Sequence, residues 1–259
     1  MLKLLWILVA MLFTVPSAAA AEDVVVGEYK TSFRASGSDS PRAWNVRLAA
    51  SKVDGVVVES GEMFSYNGTV GPRSEDRGFR VAHVIEQGKL VDGVGGGACQ
   101  VASTLAAAVR YSGLEIIEAH PHSLASAYIQ PGLDATVAMT AGSEVDFKFR
   151  NNFQRPVTIR AEILPTEKGR ATLVIRLVSD TPIKRVVKVK FEVSKIKRRP
   201  VWKILSRQVK SPHVEQAGSN GMDVIRHYLV EDEITGEVLI NQVSRFVFKP
   251  LPRIILVPR

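Results

Sequence analysis

Apolar and polar positions change period several times along this chain, and each change marks an element. Over residues 41–53, Trp44, Val46, Leu48 and Ala49 supply apolar contacts, with Ser40 as N-cap, Pro41 at the first helical position and Asp54-Gly55 at the far end, so a helix is predicted there. Val101, Leu105, Ala108 and Val109 recur at i, i+4, i+7 and i+8 and predict a second helix through Ser112, stopped by Gly113. Cys99 would leave that helix on the Ser103, Ala106 and Arg110 face, away from the apolar stripe. Short β-branched runs follow a different rule. Residues 56–58, 79–85, 89–91, 114–119, 134–139, 145–150, 156–164 and 171–178 read as strands between Gly, Pro and Asn turns, with a hairpin at Gln87-Gly88. From Arg185 onward the pattern is β-rich, with Gly218, Gly221 and Gly236 at turns. The expected class is α+β: a Cys-bearing helix packed on a largely antiparallel sheet, followed by a small β-rich C-terminal domain.

The first residues obey another logic. Lys3 precedes an apolar run over 4–13, and Pro16-Ser17-Ala18-Ala19-Ala20-Ala21 supplies small residues suited to cleavage, so residues 1–21 read as a signal peptide. The run is shorter than the roughly 20 residues a membrane span needs. The mature protein is expected to be exported to the periplasm or cell-wall space and to be soluble after cleavage. A compositional shift near Ser179-Asp180-Thr181-Pro182 separates a domain over 22–180 from a basic one over 181–259.

Charge sharpens that division. The chain carries a net +8, and between Lys184 and Lys210 eleven Lys and Arg face Glu192 alone. In an exported protein such a stripe suits anionic wall polymers or a membrane surface better than nucleic acid, and a solvated sheet edge is the plain alternative.

Chemistry concentrates at one place. Cys99 is the only cysteine and follows Gly95-Gly96-Gly97-Ala98 at the start of the second helix. An unpaired thiol in an oxidising compartment is a liability unless it is buried or used. Glycines let backbone approach a ligand, and a helix start aims free N–H groups and a positive dipole end at the sulfur. Lowering a thiol pKa from about 8.5 to about 6.5 takes about 2.7 kcal/mol, of which a helix start supplies about 0.3–1 and at most near 2. A histidine that accepts the proton would serve, and His120 and His122 are the nearest. Pro121 directs them apart, and His122 is the expected base. Asp134 is expected to hold its imidazole, with Asn151, Asn152 and Asp146 as alternatives. Gln100 and the amides of Gly97 to Cys99, with Gly96 beside them, are candidates for an oxyanion site. Zinc on Cys99, His83, His120 and His122 is a rival chemistry whose spacings fit no common zinc pattern, and the preferred mechanism needs neither metal nor organic cofactor. Two plainer readings are a buried, inert cysteine and a phosphate-cradling glycine loop, the latter without the Lys-Ser/Thr pair it needs.

Several motifs in order carry a family resemblance. Phe64-Ser65-Tyr66-Asn67 through Val70-Gly71-Pro72-Arg73, then Val94-Gly95-Gly96-Gly97-Ala98-Cys99-Gln100-Val101, then His120-Pro121-His122-Ser123 resemble the VanW-like family, with further matches at 131–137 and 146–152. The resemblance implies an exported, cell-wall-associated protein that carries out L,D-transpeptidation or amide hydrolysis of peptidoglycan stem peptides through Cys99. It also adds Arg73, His120 and Ser123 to the substrate side of the site. The alternative is a non-catalytic peptidoglycan-binding or vancomycin-resistance accessory protein. The basic C-terminal segment resembles the G-five module of wall proteins, which implies a wall-binding role.

Overall fold

The computed structural model describes residues 23–35, 40–86, 89–140 and 143–259. The expected signal peptide and the Gln87-Gly88 turn lie outside the described residues. Strand β1 (Val24–Arg34) is followed by helix α1 (Pro41–Val53), β2 (Val57–Val58), β3 (Met63–Ser65) and the short helix α2 (Tyr66–Val70). The hairpin of β4 (Val81–Glu86) and β5 (Lys89–Val94) leads into α3 (Ala98–Ser112). Then come β6 (Glu115–Glu118), β7 (Ala138–Thr140), β8 (Ser143–Val145), β9 (Lys148–Arg150), β10 (Val157–Thr166) and β11 (Arg170–Ser179). The rest is strand: β12 (Arg185–Lys197), β13 (Val201–Ser206), β14 (His213–Gln216), β15 (Gly221–Asp232), β16 (Val238–Phe248) and β17 (Arg253–Pro258).

About half the chain, 50%, is strand and 16% is helix, so the fold is mainly β and the α+β expectation is overturned. The physical reason lies at both ends of the described chain. Residues ahead of Ser40, for which the pattern predicts no element, form the eleven-residue β1, and the residues after Ser179 contribute strands alone.

The sheet nearest the candidate site has the order β1-β11-β10-β2, antiparallel throughout, with Tyr29 opposite Ile175 and Val58 opposite Val157. Helix α3 lies against β1 and β11. Gly27 sits at a β-bulge there, and a Cβ on it would come 2.6 Å from the Ala108 carbonyl oxygen, so only glycine lets strand and helix approach this closely. Phe33, Leu173, Ile175 and Leu177 join Ala102, Leu105 and Val109 in the core, each large side chain contributing about 1.5–3 kcal/mol by leaving water.

Alanines, threonines and serines between the larger residues let α3 pack on every side. Of its residues only Cys99 and Tyr111 keep exposed surface, so the Cys99 face, which the apolar stripe leaves unassigned, is covered by protein. The cover is the loop after β6. Ser103 Oγ contacts the Ala135 carbonyl at 3.1 Å and accepts the Ala135 amide at 3.0 Å, fastening that loop to the helix.

Two further three-stranded sheets, β12-β15-β16 and β13-β17-β14, follow; β13 pairs with β17 in parallel and the other pairs are antiparallel. The first meets the end of α3, where Tyr228 Oη donates to the Arg110 carbonyl at 2.9 Å and Arg185 Nη1 to the Gly113 carbonyl at 2.6 Å. Part of the basic stripe is neutralised within this sheet: Lys188 pairs with Glu231 at 2.6 Å and Lys197 with Asp223 at 2.7 Å. Among the described residues, no helix is long and apolar enough to cross a membrane.

Candidate active site

The glycine run delivers the chain into α3 by packing against the protein's own elements rather than by opening toward a ligand. A Cβ on Gly95 would fall 2.6 Å from Arg73 Cβ, one on Gly96 2.5 Å from the His83 carbonyl oxygen, and one on Gly97, whose φ is +114°, 3.0 Å from the Arg42 carbonyl oxygen. Asn45 of α1 pins the run, donating Nδ2 to the Gly96 carbonyl at 3.0 Å and to the Arg80 carbonyl at 2.8 Å. Tyr66, fully buried, donates its hydroxyl to the Ala98 carbonyl at 2.9 Å. The start of the helix is therefore fixed before any ligand arrives.

Helix α3 begins at Ala98, one residue earlier than the thiol. Cys99 Sγ donates to the Val137 carbonyl at 3.4 Å, and the His122 imidazole interacts with the same sulfur. His122 Nδ1 meets Asp134 Oδ2 at 2.8 Å, and the His122 backbone amide donates to that oxygen at 2.7 Å. The other carboxylate oxygen accepts the Gly132 amide at 3.2 Å. With Nδ1 committed to Asp134, Nε2 is the ring nitrogen left for the sulfur. Asp134 is thus the group beside His122. Asp146 instead accepts Ser65 Oγ at 2.6 Å, Asn151 donates to the Val58 carbonyl at 2.9 Å, and Asn152 lies exposed.

Electrostatics within this trio favour charge separation. Burial pushes the Cys99 thiol up, but the His122 hydrogen bond and charge, aided by the Arg73 cation, outweigh it and hold the thiol below its ordinary value. Burial pulls His122 down, yet its bonds to Asp134 and Cys99 raise it to about 9. Asp134 is raised by burial and lowered more by the His122 ring and amide and the Gly132 amide. The thiol thus gives up its proton more readily than a free one while the imidazole holds its own up to about pH 9, so the arrangement favours proton transfer from sulfur to ring.

Other expected site residues sit elsewhere. Gln100 is buried against β1, donating Nε2 to Thr31 Oγ1 at 3.0 Å, so its amide N–H is already committed within the fold. The Ala98 and Gln100 amides bond to the Gly95 and Gly97 carbonyls, each at 3.0 Å; among the described residues the Cys99 amide makes no such bond and is the open donor. His120 turns outward to Glu118 at 3.1 Å, and His83 to Asp92 at 2.8 Å, so neither joins Cys99 and His122. Ser123 is exposed and lends its carbonyl to the Lys249 amide at 3.1 Å. Arg73 does reach the site. It donates Nη1 to Asn67 Oδ1 at 2.7 Å and leaves Nη2 buried without a partner among the described residues, in the field of Cys99.

The motifs do not announce Arg42 and Tyr128, which lie within electrostatic reach of the thiol, with the Arg42 guanidinium 5.9 Å from the Tyr128 ring centre. Both line a cleft of about 590 Å³ bordered also by Arg34, Gln100 and Arg170. The cleft adjoins the helix start; Cys99 itself is not in its wall.

Residues 41–176 match the family model described as VanW like protein. The uncharacterized protein YoaR of Bacillus subtilis (strain 168) is 41% identical over 137 residues, which are 53% of this chain and 44% of that protein. The Vancomycin B-type resistance protein VanW of Enterococcus faecalis (strain ATCC 700802 / V583) is 28% identical over 117 residues, 43% of this chain and 41% of that protein. The chain thus spans less than half the length of either relative. Among solved structures, an IgA1 protease G5 domain aligns with 29% of this chain and 93% of its own at 16% identity and a TM-score of 0.19. The G5 domain of HP0197 aligns with 28% of this chain and 96% of its own at 16% identity and a TM-score of 0.16.

Proposed function

Because the chain belongs to the VanW-like family, we propose that it is a cell-wall protein that transfers acyl groups of peptidoglycan stem peptides through Cys99. The observation that carries this reading is His122 held by Asp134 at 2.8 Å and set beside Cys99 at the start of a buried helix, with the imidazole raised and the thiol lowered. The thiolate attacks the carbonyl carbon of an amide, and the oxyanion that forms is met by the Cys99 amide. The C–N bond then breaks as His122 gives its Nε2 proton to the departing amine, leaving a thioester. An amine of a second stem, or water, attacks the thioester while His122 takes up its proton, and Cys99 is released as the thiolate. Asp134 holds the ring in the tautomer this exchange requires. Arg73, with a free buried nitrogen near the sulfur, is the substrate-side residue of this scheme.

A second reading, a non-catalytic accessory protein that binds the wall, draws on the relative named for vancomycin resistance and on the exposed basic strands, whose Lys195 and Lys203 face solvent. One experiment separates the two. The protein and Cys99→Ala are incubated with disaccharide-tetrapeptide muropeptides and followed by mass spectrometry. A covalent acyl adduct on Cys99, with cross-linked dimers or trimmed stems that the variant does not form, is the expected result. Absence of any adduct from a protein that still binds sacculi would replace the enzyme with the accessory binder.

A further inference from the structure

The chemistry just outlined uses no residue beyond Asp134, yet the loop carrying His122 and Asp134 is closed over by the C-terminal strands. Gly132, at φ +93°, is so close beneath them that a Cβ would lie 3.2 Å from the Phe246 ring of β16 and 3.4 Å from the Phe191 ring of β12. Arg226 of β15 donates Nη1 to the Gly132 carbonyl and Nη2 to Ser244 Oγ at 3.3 Å, with its guanidinium 4.9 Å from the Phe246 ring centre. The Gly132 amide donates to Asp134. Gly132 is therefore gripped on both sides, by Arg226 through its carbonyl and by the site carboxylate through its amide.

Arg226 is a costly residue to place there. It is 5% exposed, its Nε has no partner among the described residues, and its hydrogen bonds go to a carbonyl and a hydroxyl rather than to a carboxylate. A buried guanidinium so arranged is poor value for stability, and an apolar side chain of similar size would serve packing better. What it supplies is direction, because its fork spans two elements and ends on the loop that orients the base.

We propose that Arg226 is a positioning residue for the Cys99 site: through Gly132 it fixes Asp134, and through Asp134 the His122 ring, so that the C-terminal sheet completes the site. This rests on the acyl-transfer reading above. Asp134 faces His122 and Tyr128 from its own loop, Arg110 from α3 and Arg226 from β15. Cys99 faces His122 and Tyr128 from the loop, with Arg73, Arg42 and Tyr66 from the other elements. Arg226 therefore reaches the sulfur only through the loop.

The test is the pH profile of Cys99 alkylation by iodoacetamide in the whole protein. In the unsubstituted protein the half-point lies well below the roughly 8.5 of a free thiol. Arg226→Met moves it up toward that value and slows alkylation at pH values below both half-points, by about tenfold for a rise of one pKa unit. Tyr228→Phe, which removes a bond from the same strand to α3 but not to the loop, leaves the profile in place. A folded Arg226→Met with an unshifted profile, or a Tyr228→Phe shift as large, overturns the assignment. Should Arg226→Met not fold, Arg226→Lys keeps the buried charge without the fork; a smaller upward shift supports the proposal and none overturns it. A free-thiol profile in the unsubstituted protein would instead remove the acyl-transfer reading on which the proposal stands.

Discussion

At the scale of residues, the trio sets a pH signature. His122 binds its proton more tightly in the folded chain, so its contribution to stability is complete below its unfolded value near 6.5 and is lost as pH rises through about 9. Asp134 is held low, so its share is present above its ordinary value near 3.9 and is lost as pH falls through the depressed one. Both side chains are buried, and removing one partner of such a pair costs about 3–5 kcal/mol. Asp134→Asn should therefore melt well below the unsubstituted protein near about pH 6, with the gap narrowing toward about pH 10. Calorimetry at the two pH values checks this, and a gap that stays constant would mean that the pair carries no charge. Cys99, His122 and Asp134 lie on separate segments, and they could be named together from sequence because few residue types can lower a thiol pKa and His122 lies within one strand of the helix; the structure sets His122 against Asp134. Arg226 was not legible, since nothing local distinguishes it from the other cations of the basic half.

Among elements, the glycine run is the one whose role differs most from its reading in sequence. Triple glycine suggests a ligand-cradling loop, but each of the three is needed because a neighbouring backbone or side chain occupies the space of its Cβ. Gly96→Ala would force its methyl group against the His83 carbonyl, and a loss of about 1–3 kcal/mol is expected by urea denaturation. An unchanged midpoint would show that the β4–β5 hairpin yields easily there. Both long helices were legible, α1 with the same limits in sequence and structure, because Pro41, the apolar spacing and Gly113 are local signals. Strand β1 was not, since Val24, Val25 and Val26 run on without strict alternation and its pairing depends on β11, far along the chain. Local period carries no information about so distant a partner, and that omission is much of why the chain reads as more helical than it is.

For the whole molecule, charge and topology have separate consequences. Lys195 and Lys203 lie exposed on β12 and β13, and neither has an acidic partner among the described residues. If the basic half holds anionic wall polymers, co-sedimentation with sacculi should weaken steeply between about 50 and 300 mM salt, as the screening length shortens. The double variant Lys195→Glu, Lys203→Glu should weaken it further at low salt, and indifference to both changes would assign those strands a purely structural role. Topology acts earlier in the life of the chain. Among the described residues strand β1 pairs only with β11, and α3 rests on both, so the sheet beneath the thiol cannot close until Ser179 has left the ribosome. Throughout that interval β1 is an unpaired edge and α3 lacks the surface that buries it, which makes folding slow by contact order. A growing chain in this state is a natural substrate for chaperones, and the surroundings of Cys99 are complete only after more than about two-thirds of the chain has been made.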